Sequence, residues 1–269
     1  MPPPRCSTSG DPLIPDPLIK VVAEIGSTNA ALLTRLAAGE VAAEGHWLVA
    51  DRQTAGRGRA GRVWTDGFGN FMGSTAVALR DGEALPQTLA LVAGVAAHRA
   101  LLSVVPELAG LVLKWPNDLL VSEAKIGGIL LERQSDAVVV GIGINLAEAP
   151  QVPGRQTVSL AALGHAIGRD AFAAALAACW AEDLAAWHAG GWPMLREAWL
   201  ARALPRGTLL GVNLAEEGHV IGGFAGLEPD GAVLLRLADG AVRAIHAGDV
   251  ELIGQSSAGA GGGNDASRG

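Results

Sequence analysis

The pattern of apolar segments changes near residues 205–207, and this change limits the fold more than any other feature of the chain. Before it, apolar runs of strand length alternate with long helical patterns that have little polar face. After it, up to residue 253, short apolar runs alternate only with turn sequences. A chain of 269 residues suits one large domain plus a small one. We therefore predict an α+β fold, in which a mixed β-sheet with packed helices is followed by a small β-barrel.

The same patterns predict the domain boundaries. We expect the large domain at residues 19–205 and the barrel at residues 206–254. The leader, residues 1–18, is rich in Pro, Ser and Asp, and the tail, residues 255–269, is rich in Gly, Ser and Ala. Both compositions are typical of disordered ends.

Individual elements follow from periodicity and turn residues. The predicted strands of the large domain are 20–24, 47–51, 70–79, 111–114, 119–121, 125–132 and 137–145. Its predicted helices are 30–38, 87–105, a helix containing the core stripe Phe172, Leu176, Trp180, Leu184 and Trp187, and 193–203. The barrel strands are predicted at 208–214, 220–227, 232–237 and 241–245, with hairpin turns at 228–231 and 238–240.

Composition excludes several classes of protein. Hydrophobic residues make up 49% of the chain, so a sizeable core is available, while the net charge of −7 argues against a general nucleic-acid or membrane-surface partner. No apolar run has the length of a membrane span, and no signal-peptide pattern opens the chain. Cys6 and Cys179 form no motif, and Cys179 is expected as a buried free thiol. The six histidines fall in no metal-like spacing. We predict a cytoplasmic protein.

One short segment concentrates positive charge. Arg57, Arg59 and Arg62 lie within six residues and are spaced by Gly56, Gly58 and Gly61. Guanidinium groups match carboxylate and phosphate oxygens, and glycine lets the backbone approach a ligand closely. The segment therefore predicts a mobile loop that closes over a small anion.

The residues of this loop also allow three other interpretations. The glycine spacing fits a dinucleotide-binding fingerprint, but turn and strand residues follow where that motif needs a helix. An Arg-Gly nucleic-acid segment normally lies in a basic, repetitive tail, whereas this one is a single copy inside an acidic, apolar chain. The third interpretation is an ordinary solvated surface loop.

The scarcity of lysine points to a second segment. Only three of the 20 basic residues are lysines, and two of them, Lys114 and Lys125, flank one short stretch. A lysine retained where arginine is otherwise used can mark a site that needs a compact ammonium group.

Five motifs in order resemble those of biotin protein ligases, over about residues 20–253. Residues 53–64, QTAGRGRAGRVW, resemble the ligand loop of that family. The other similar segments are STN at 27–29, KWPND at 114–118, KIGGILLE at 125–132 and GIGIN at 141–145. Ala60 departs from the pattern, because many members have a third consecutive basic residue there. The short leader leaves no room for the DNA-binding domain of some members, so a ligase without a DNA partner is expected.

The resemblance implies a catalytic domain like those of class II aminoacyl-tRNA synthetases and an SH3-like barrel. It implies that biotin attacks ATP to give biotinoyl-5'-AMP and pyrophosphate, and that a lysine of a biotin carboxyl carrier protein then takes the biotin. Mg²⁺ would be held by the ATP phosphates, with Asp118 as a candidate protein ligand. A monomer or a homodimer is expected.

The resemblance also assigns roles to residues, and physical arguments agree with them. The candidate catalytic residues are Arg59, Lys125 and Asp118, of which Asp118 is also a candidate acceptor for the proton of the carrier lysine. The candidate biotin-binding residues are Ser27, Thr28, Asn29, Gln53, Arg57, Gly58, Arg59, Lys125, Gly127 and Gly128. The candidate ATP-binding residues are Arg59, Arg62, Trp64, Asn117 and Asn145.

Two other functions stay open at this point. A ligase for lipoate or another short acyl group would share the fold and the chemistry, although the Arg-Arg-x-x-Gly-Gly-Gly type signature expected there is absent. A module that binds the carrier or a nucleotide without catalysis is the second alternative.

Overall fold

The computed structural model describes residues 18–253, except for residues 42, 66 and 215–217. The predicted leader, apart from Leu18, and the predicted tail lie outside the described residues. The chain divides into two compact units. The first runs to Leu204 and includes Pro229–Gly231, and the second contains Pro205–Glu228 and the residues from Ala232 onward.

A seven-stranded sheet forms the first unit. Its strands are β1 Ile19–Ile25, β2 Trp47–Gln53, β3 Phe71–Ala78, β4 Leu111–Lys114, β5 Asp118–Val121, β6 Ala124–Gln134 and β7 Ala137–Ile144. They lie in the order β1-β2-β3-β7-β6-β5-β4. The β1–β2 pair is parallel, because a helix connects these two strands, and the other pairs are antiparallel. The predicted mixed sheet is therefore confirmed.

Four helices belong to this unit. They are α1 Thr28–Ala37, α2 Thr88–Val104, α3 Arg169–His188 and α4 Trp192–Leu200. Helix α1 begins at Thr28, two residues before the predicted start, because the Ser27 side chain caps it by accepting a hydrogen bond from the Ala30 amide at 3.4 Å. This cap places the STN motif at the start of a helix that packs against β3, β6 and β7.

The predicted core stripe of α3 is confirmed, since all five of its side chains are buried. Phe172 contacts the Phe71 ring edge-on at 5.2 Å between centroids, and Trp180 contacts Trp47 in the same way at 6.3 Å. Burying each such side chain stabilises the fold by roughly 1.5–3 kcal/mol. Helix α3 is thereby held close to β2 and β3.

The last helix of this unit is shorter than predicted. It ends at Leu200 instead of residue 203, because the chain that follows pairs with β4. The Leu113 amide donates to the Arg202 carbonyl at 2.8 Å, and the Leu204 amide donates to the Leu113 carbonyl at 3.1 Å. The backbone amide and carbonyl of Leu113, at the outer edge of β4, thereby gain hydrogen-bond partners.

The second unit is an antiparallel sheet of five strands. They are β8 Leu209–Leu214, β9 Gly218–Leu227, β10 Val233–Arg236, β11 Val242–Ile245 and β12 Asp249–Leu252, in the order β11-β10-β9-β8-β12. Four of these strands were predicted. The fifth, β12, is too short and too polar to stand out in the sequence, because Val250 is its one buried side chain. The sheet is consistent with the predicted SH3-like fold.

Two further expectations concern single features. In the part of the chain that the structure describes, no helix combines the length and the apolar character that crossing a bilayer requires. Cys179 is a free thiol, as predicted, but it is half-buried instead of fully buried. Cys6 lies outside the described residues.

Candidate active site

The arginine-rich segment folds into a hairpin. The Gly58 amide donates to the Arg62 carbonyl at 2.7 Å, and the Trp64 amide donates to the Gly56 carbonyl at 3.0 Å. At the tip, Ala60 has a φ of 53° and Gly61 has a φ of 70°. A glycine tolerates this conformation without strain, which explains why Gly61 stands at the tip. No helix follows Gly61, so the dinucleotide-fingerprint interpretation is wrong.

The indole ring of Trp64 anchors this hairpin on the sheet. A Cβ atom at Gly143 would lie 2.3 Å from Cζ2 of Trp64, and one at Gly128 would lie 3.4 Å from Cζ3. A side chain at Gly143 would displace the ring, whereas one at Gly128 would touch the ring and lie 2.9 Å from Nζ of Lys125, so these glycines of β7 and β6 make room for Trp64 and Lys125. The Nζ atom of Lys125 lies 5.8 Å from the ring centroid, within the range of a cation–π contact.

A carboxylate between two ammonium groups lies beside the hairpin. Lys114 and Asp118 are directly opposite each other on β4 and β5, and Nζ of Lys114 donates to Oδ2 of Asp118 at 2.7 Å. Nζ of Lys125 donates to the other oxygen, Oδ1. The side chains of Lys114 and Asp118 are each 8% exposed, and that of Lys125 is 20% exposed. We call these three residues the ammonium cluster.

A β-bulge brings Lys125 to this cluster. Asp118 pairs with Gly128 and Leu119 with Gly127, but Leu120 pairs with Lys125, so the register skips one residue. Side chains alternate between the two faces of a strand. Without the skip, Lys125 would lie on the face opposite to Asp118, whereas the bulge moves it to the same face.

The cluster shifts the pKa values of two of its members. Burial acts to raise the pKa of the Asp118 carboxyl, but the charges of Lys125 and Lys114 and their hydrogen bonds outweigh it, so the pKa lies well below its ordinary value. Burial lowers the pKa of the Lys125 ammonium, and Asp118 opposes this shift only in part. Asp118 is therefore an ionised carboxylate that holds two cations, and Lys125 loses its proton at a lower pH than a free lysine does.

Asn117 connects the hairpin to the sheet. Its Nδ2 donates to the Ile129 carbonyl at 2.7 Å, and its own carbonyl accepts from the Ile129 amide at 2.9 Å. Its Oδ1 accepts from Nη1 of Arg59 at 3.2 Å. The Trp115–Pro116 peptide bond that precedes it is cis. Arg59 is thereby held next to the turn that carries Asp118.

A buried polar network lies at the start of α1. Oε1 of Gln53 accepts from the Thr28 amide at 2.7 Å. The Ser74 hydroxyl donates to Oδ1 of Asn29 at 2.6 Å, and it lies 2.6 Å from the Thr28 hydroxyl. Since Ser74 has one proton and gives it to Asn29, Thr28 is the donor to Ser74, and Oε1 of Gln53 is a second, longer acceptor for the Thr28 hydroxyl at 3.2 Å. The STN motif is thus joined to β2 and β3 by side-chain hydrogen bonds.

Glu132 extends this network towards the hairpin. Its Oε2 accepts from Nδ2 of Asn29 at 2.9 Å, and its Oε1 lies 3.9 Å from Nη1 of Arg57. A Cβ atom at Gly141 would lie 2.2 Å from Oδ1 of Asn29, so the glycine leaves the space that this amide occupies. The network therefore runs from Gln53 to the first arginine of the hairpin.

Two more predicted site residues have packing roles. Nδ2 of Asn145 donates to the Val158 carbonyl at 3.1 Å and lies 3.4 Å from the Lys125 carbonyl. It fixes the chain after β7 beside the start of β6. A Cβ atom at Gly127 would lie 2.4 Å from Cδ1 of Ile144 and 2.9 Å from the Gly143 carbonyl oxygen, so no other residue fits at that position without a shift of β7.

The predicted site residues thus form two neighbouring groups linked by the hairpin. Gln53 and the STN motif belong to the polar network, Asp118 and Lys125 belong to the ammonium cluster, and Asn117 with Arg59 lies next to that cluster. Three residues without a predicted role complete these groups, namely Lys114, Ser74 and Glu132. The scarcity of lysine singles out Lys114, but no sequence signal marks Ser74.

The residues present do not form a site for a protein-bound magnesium ion. In the described part of the chain, no group of three or more His, Cys, Asp or Glu side chains is arranged to hold a metal. Both oxygens of Asp118 already accept hydrogen bonds from ammonium groups. Such a carboxylate is a poor ligand for a cation, which needs its lone pairs.

Comparison with known proteins gives matches over most of the chain. Residues 22–146 match the biotin/lipoate A/B protein ligase family, and residues 211–253 match the biotin protein ligase C-terminal domain. A biotin–[acetyl-CoA-carboxylase] ligase of Paracoccus denitrificans is 38% identical over 80% of this chain and 93% of its own length. The corresponding enzyme of Mycobacterium tuberculosis is 35% identical over 86% of this chain and 88% of its own length.

A solved structure has the same fold. The biotin protein ligase of Aquifex aeolicus, in complex with biotin and ATP, aligns with a TM-score of 0.75 and 28% identity. The alignment covers 88% of this chain and 98% of that one. The match over almost the full length of relatives above 30% identity settles the relationship: this chain belongs to the biotin protein ligase family.

Proposed function

We propose that this protein is an ATP-dependent biotin protein ligase. It activates biotin as biotinoyl-5'-AMP, with release of pyrophosphate, and transfers the biotin to a lysine of a biotin carboxyl carrier protein. The observation that carries the proposal is the position of Lys125, whose ammonium lies between a glycine-rich sheet surface and the arginine hairpin. Two anions that react with each other need positive charge at the point where they meet.

The polar network is the proposed site for the ureido ring of biotin. Ser27, Thr28, Asn29 and Gln53 are buried; the polar groups of the last three are fixed by hydrogen bonds among themselves and with Ser74, and the Ser27 hydroxyl accepts from the Ala30 amide. Fixed polar groups on an apolar wall select a ring with a polar edge. In this proposal Gly127 and Gly128 line the path of the valeryl chain, which leads from this network towards Lys125. Gly58 and Arg57 cover the same path from the hairpin.

In the first step, a carboxylate oxygen of biotin forms a bond with the α-phosphorus of ATP. The bond from that phosphorus to the bridging oxygen of the β-phosphate breaks, and pyrophosphate leaves with the electron pair. Lys125 offsets the negative charge of the carboxylate and the α-phosphate in the transition state. Arg59, held by Asn117, acts on the same group from the hairpin side.

The ATP site is proposed from the hairpin and the ends of β6 and β7. Arg62 approaches the phosphates, and Trp64 covers the adenine. Asn117 and Asn145 hold the surrounding loops in place through their hydrogen bonds to backbone carbonyls. Magnesium enters this proposal only as part of the ATP complex, and no step depends on a protein ligand for it.

Asp118 has a positioning role in this proposal. Its two oxygens hold Lys114 and Lys125, and its pKa is low, so it is unsuited to accept a proton at neutral pH. In the second step the amine of the carrier lysine attacks the carbonyl carbon of the adenylate. The bond from that carbon to the phosphate oxygen breaks, AMP leaves with the electron pair, and the attacking nitrogen releases one proton to water.

The protein partner is proposed from the relatives, which are named for acetyl-CoA carboxylase. We propose the biotin carrier domain of a carboxylase as the acceptor, residues 19–205 as the catalytic domain and residues 206–254 as an accessory barrel. A match to a biotin protein ligase C-terminal domain favours biotin over lipoate as the substrate. The cytoplasmic location, the monomer or homodimer and the absence of a DNA partner stay predictions.

Pyrophosphate exchange tests this proposal. Purified protein, ATP and labelled pyrophosphate are incubated with biotin, with lipoate or with neither acid. We expect labelled ATP with biotin only. Exchange with lipoate only would assign the protein to the related acyl ligases, and no exchange with either acid would favour a binding module without catalysis. Mass spectrometry of an added carrier domain then tests the transfer step.

A further inference from the structure

A short segment after β7 carries an arginine that the reaction described above does not use. The amide of Arg155 donates to the Val152 carbonyl at 3.1 Å, which closes a turn with Gly154 at a φ of 72°. Arg155 is exposed, and among the residues that the structure describes its guanidinium has no hydrogen bond or ion pair. An arginine in this state is available to a ligand.

This segment lies directly alongside Lys125. The Lys125 amide donates to the Gln156 carbonyl at 2.8 Å, and the Val158 amide donates to the Lys125 carbonyl at 3.0 Å. These bonds pair Thr157 with Lys125. Paired residues in neighbouring strands point to the same face, and so do residues two apart in an extended chain. Arg155 therefore lies on the same face as Lys125.

Electrostatics agree with this placement. Burial is the main cause of the lowered pKa of Lys125, and the charge of Arg155 is among the further causes. The charge of Arg155 thus acts on Lys125. Two hydrogen bonds hold residues 155–158 beside Lys125 despite the like charges. Nδ2 of Asn145 donates to the Val158 carbonyl, and the Thr157 hydroxyl donates to the Pro150 carbonyl at 2.5 Å.

The charges around Lys125 are unbalanced. Lys114, Lys125, Arg59 and Arg155 are cations, and Asp118 is the carboxylate that binds the two lysines among them. A fixed excess of positive charge costs free energy unless an anion binds there. The charge of a polyphosphate, several units negative, matches this excess.

We propose that Arg155 binds the β- and γ-phosphates of ATP and keeps hold of them as the pyrophosphate leaves. The inference rests on the proposed ligase function and adds a residue to it. Arg59 and Arg155 then act from two different segments, one from the hairpin and one from the segment after β7. Negative charge that builds up on the leaving group during cleavage of the α-phosphorus–oxygen bond meets the guanidinium of Arg155.

The test compares Arg155→Ala with Arg155→Lys and with a control, Arg133→Ala. Arg133 is an exposed arginine near the far end of β6 from Lys125, and it donates to the Ser135 carbonyl. The measurements are pyrophosphate exchange with biotin at varied concentrations of each reactant, and calorimetric titration with inorganic pyrophosphate. For Arg155→Ala we expect the KM values for ATP and pyrophosphate to rise by roughly 10-fold, with the KM for biotin unchanged.

Arg155→Lys and Arg133→Ala show whether the effect of Arg155→Ala comes from the lost charge at this position. Arg155→Lys should recover part of the loss, because it restores the charge without the planar fork, and Arg133→Ala should match the wild type. Unchanged KM values for ATP and pyrophosphate, with unchanged pyrophosphate binding, would overturn the inference. A higher KM for the carrier domain alone would also overturn it, since Arg155 would then bind an acidic protein surface.

The failure of the inference differs from the failure of the proposed function. If the wild-type protein shows no biotin-dependent exchange, the ligase proposal fails, whatever the variants do. If the wild-type protein exchanges normally and Arg155→Ala behaves like it, only the role of Arg155 is wrong. The pyrophosphate titration needs no turnover, so it reports on the site in either case.

Discussion

Two groups of positive charge face the candidate site, and they are built in opposite ways. The ammonium cluster is buried in the sheet and fixed by a carboxylate, with Lys114 and Asp118 each 8% exposed. The arginine hairpin lies on the surface, and the side chain of Arg57 is 57% exposed. The buried cations keep their geometry whether or not a ligand is present. Those of the hairpin can change position when a ligand binds.

The energetic consequences differ in the same way. Removing one partner of a buried charge pair leaves an unpaired charge in a medium of low dielectric constant, which costs about 3–5 kcal/mol. The exposed pair of Arg57 with Glu132, at 3.9 Å, contributes about 0–1 kcal/mol. The stability of the fold therefore depends on the ammonium cluster, whereas the exposed Arg57–Glu132 pair of the hairpin contributes little to it.

Asp118→Ala should have the largest effect of the variants that test the difference between the two groups. It leaves two buried ammonium groups without their carboxylate, so we expect the free energy of unfolding to fall by about 3–5 kcal/mol and exchange activity to be lost. Urea denaturation at pH 7 measures the first effect. Because the folded-state pKa of Asp118 is depressed, its stabilisation is fully present above the ordinary value of 3.8 and is lost as the pH falls towards the folded-state pKa. A loss below 1 kcal/mol would contradict the structural role of the cluster.

Lys125→Met separates chemistry from stability within the same cluster. The methionine keeps the length of the chain but removes the charge at the reaction centre. We expect the rate of biotin-dependent exchange to fall about 100-fold to 1000-fold, while circular dichroism stays as in the wild type. Lys20→Met is the matched control, because Lys20 is exposed on β1. Equal rates for the two variants would refute a catalytic role for Lys125.

Arg59→Ala tests the hairpin side of the comparison. Its hydrogen bond to Asn117 joins the hairpin to the turn after β4, so its removal loosens the cover over the site. We expect the free energy of unfolding to change by less than about 1 kcal/mol, whereas the adenylate escapes roughly 10-fold faster. Retention of labelled adenylate on a gel-filtration column measures the escape. Wild-type retention would show that Arg59 does not close the site.

Most of the fold was readable from the sequence because local signals agreed with one another. The strands of the first unit, the cap of α1 and the stripe of α3 each follow from periodicity and end signals. The pairing of Lys114 with Asp118 was readable in principle, since the two residues flank a short turn between predicted strands. The STN motif and the arginine hairpin were recognised because unusual residues are concentrated in them.

The rest depends on register and on contacts between distant elements. Lys125 reaches Asp118 only through the bulge between Leu119 and Leu120, and one extra residue in a strand leaves no mark in the sequence. Ser74 lies in an apolar strand, and its contact with Asn29 exists because β3 lies between β2 and β7. Glu132 is part of a recognised motif, yet its bond to Asn29 joins residues 103 positions apart.

The pH dependence of the reaction gives the finest test of the difference between the two groups. Lys125 must be protonated to act as a cation, so the rate falls as the pH rises through its lowered pKa. Lys114 lowers that pKa, and Asp118 raises it. We therefore expect Lys114→Met to move the alkaline limb of the exchange rate to higher pH, and Asp118→Asn to move it to lower pH. Arg59→Ala should move the limb less than either cluster variant, because the charges of Asp118 and Lys114 are main causes of the shifted pKa of Lys125. If Lys114 had a purely structural role, Lys114→Met would lower the rate at every pH without moving the alkaline limb. Shifts of the limb in opposite directions for Lys114→Met and Asp118→Asn would instead show that both residues tune the pKa of Lys125.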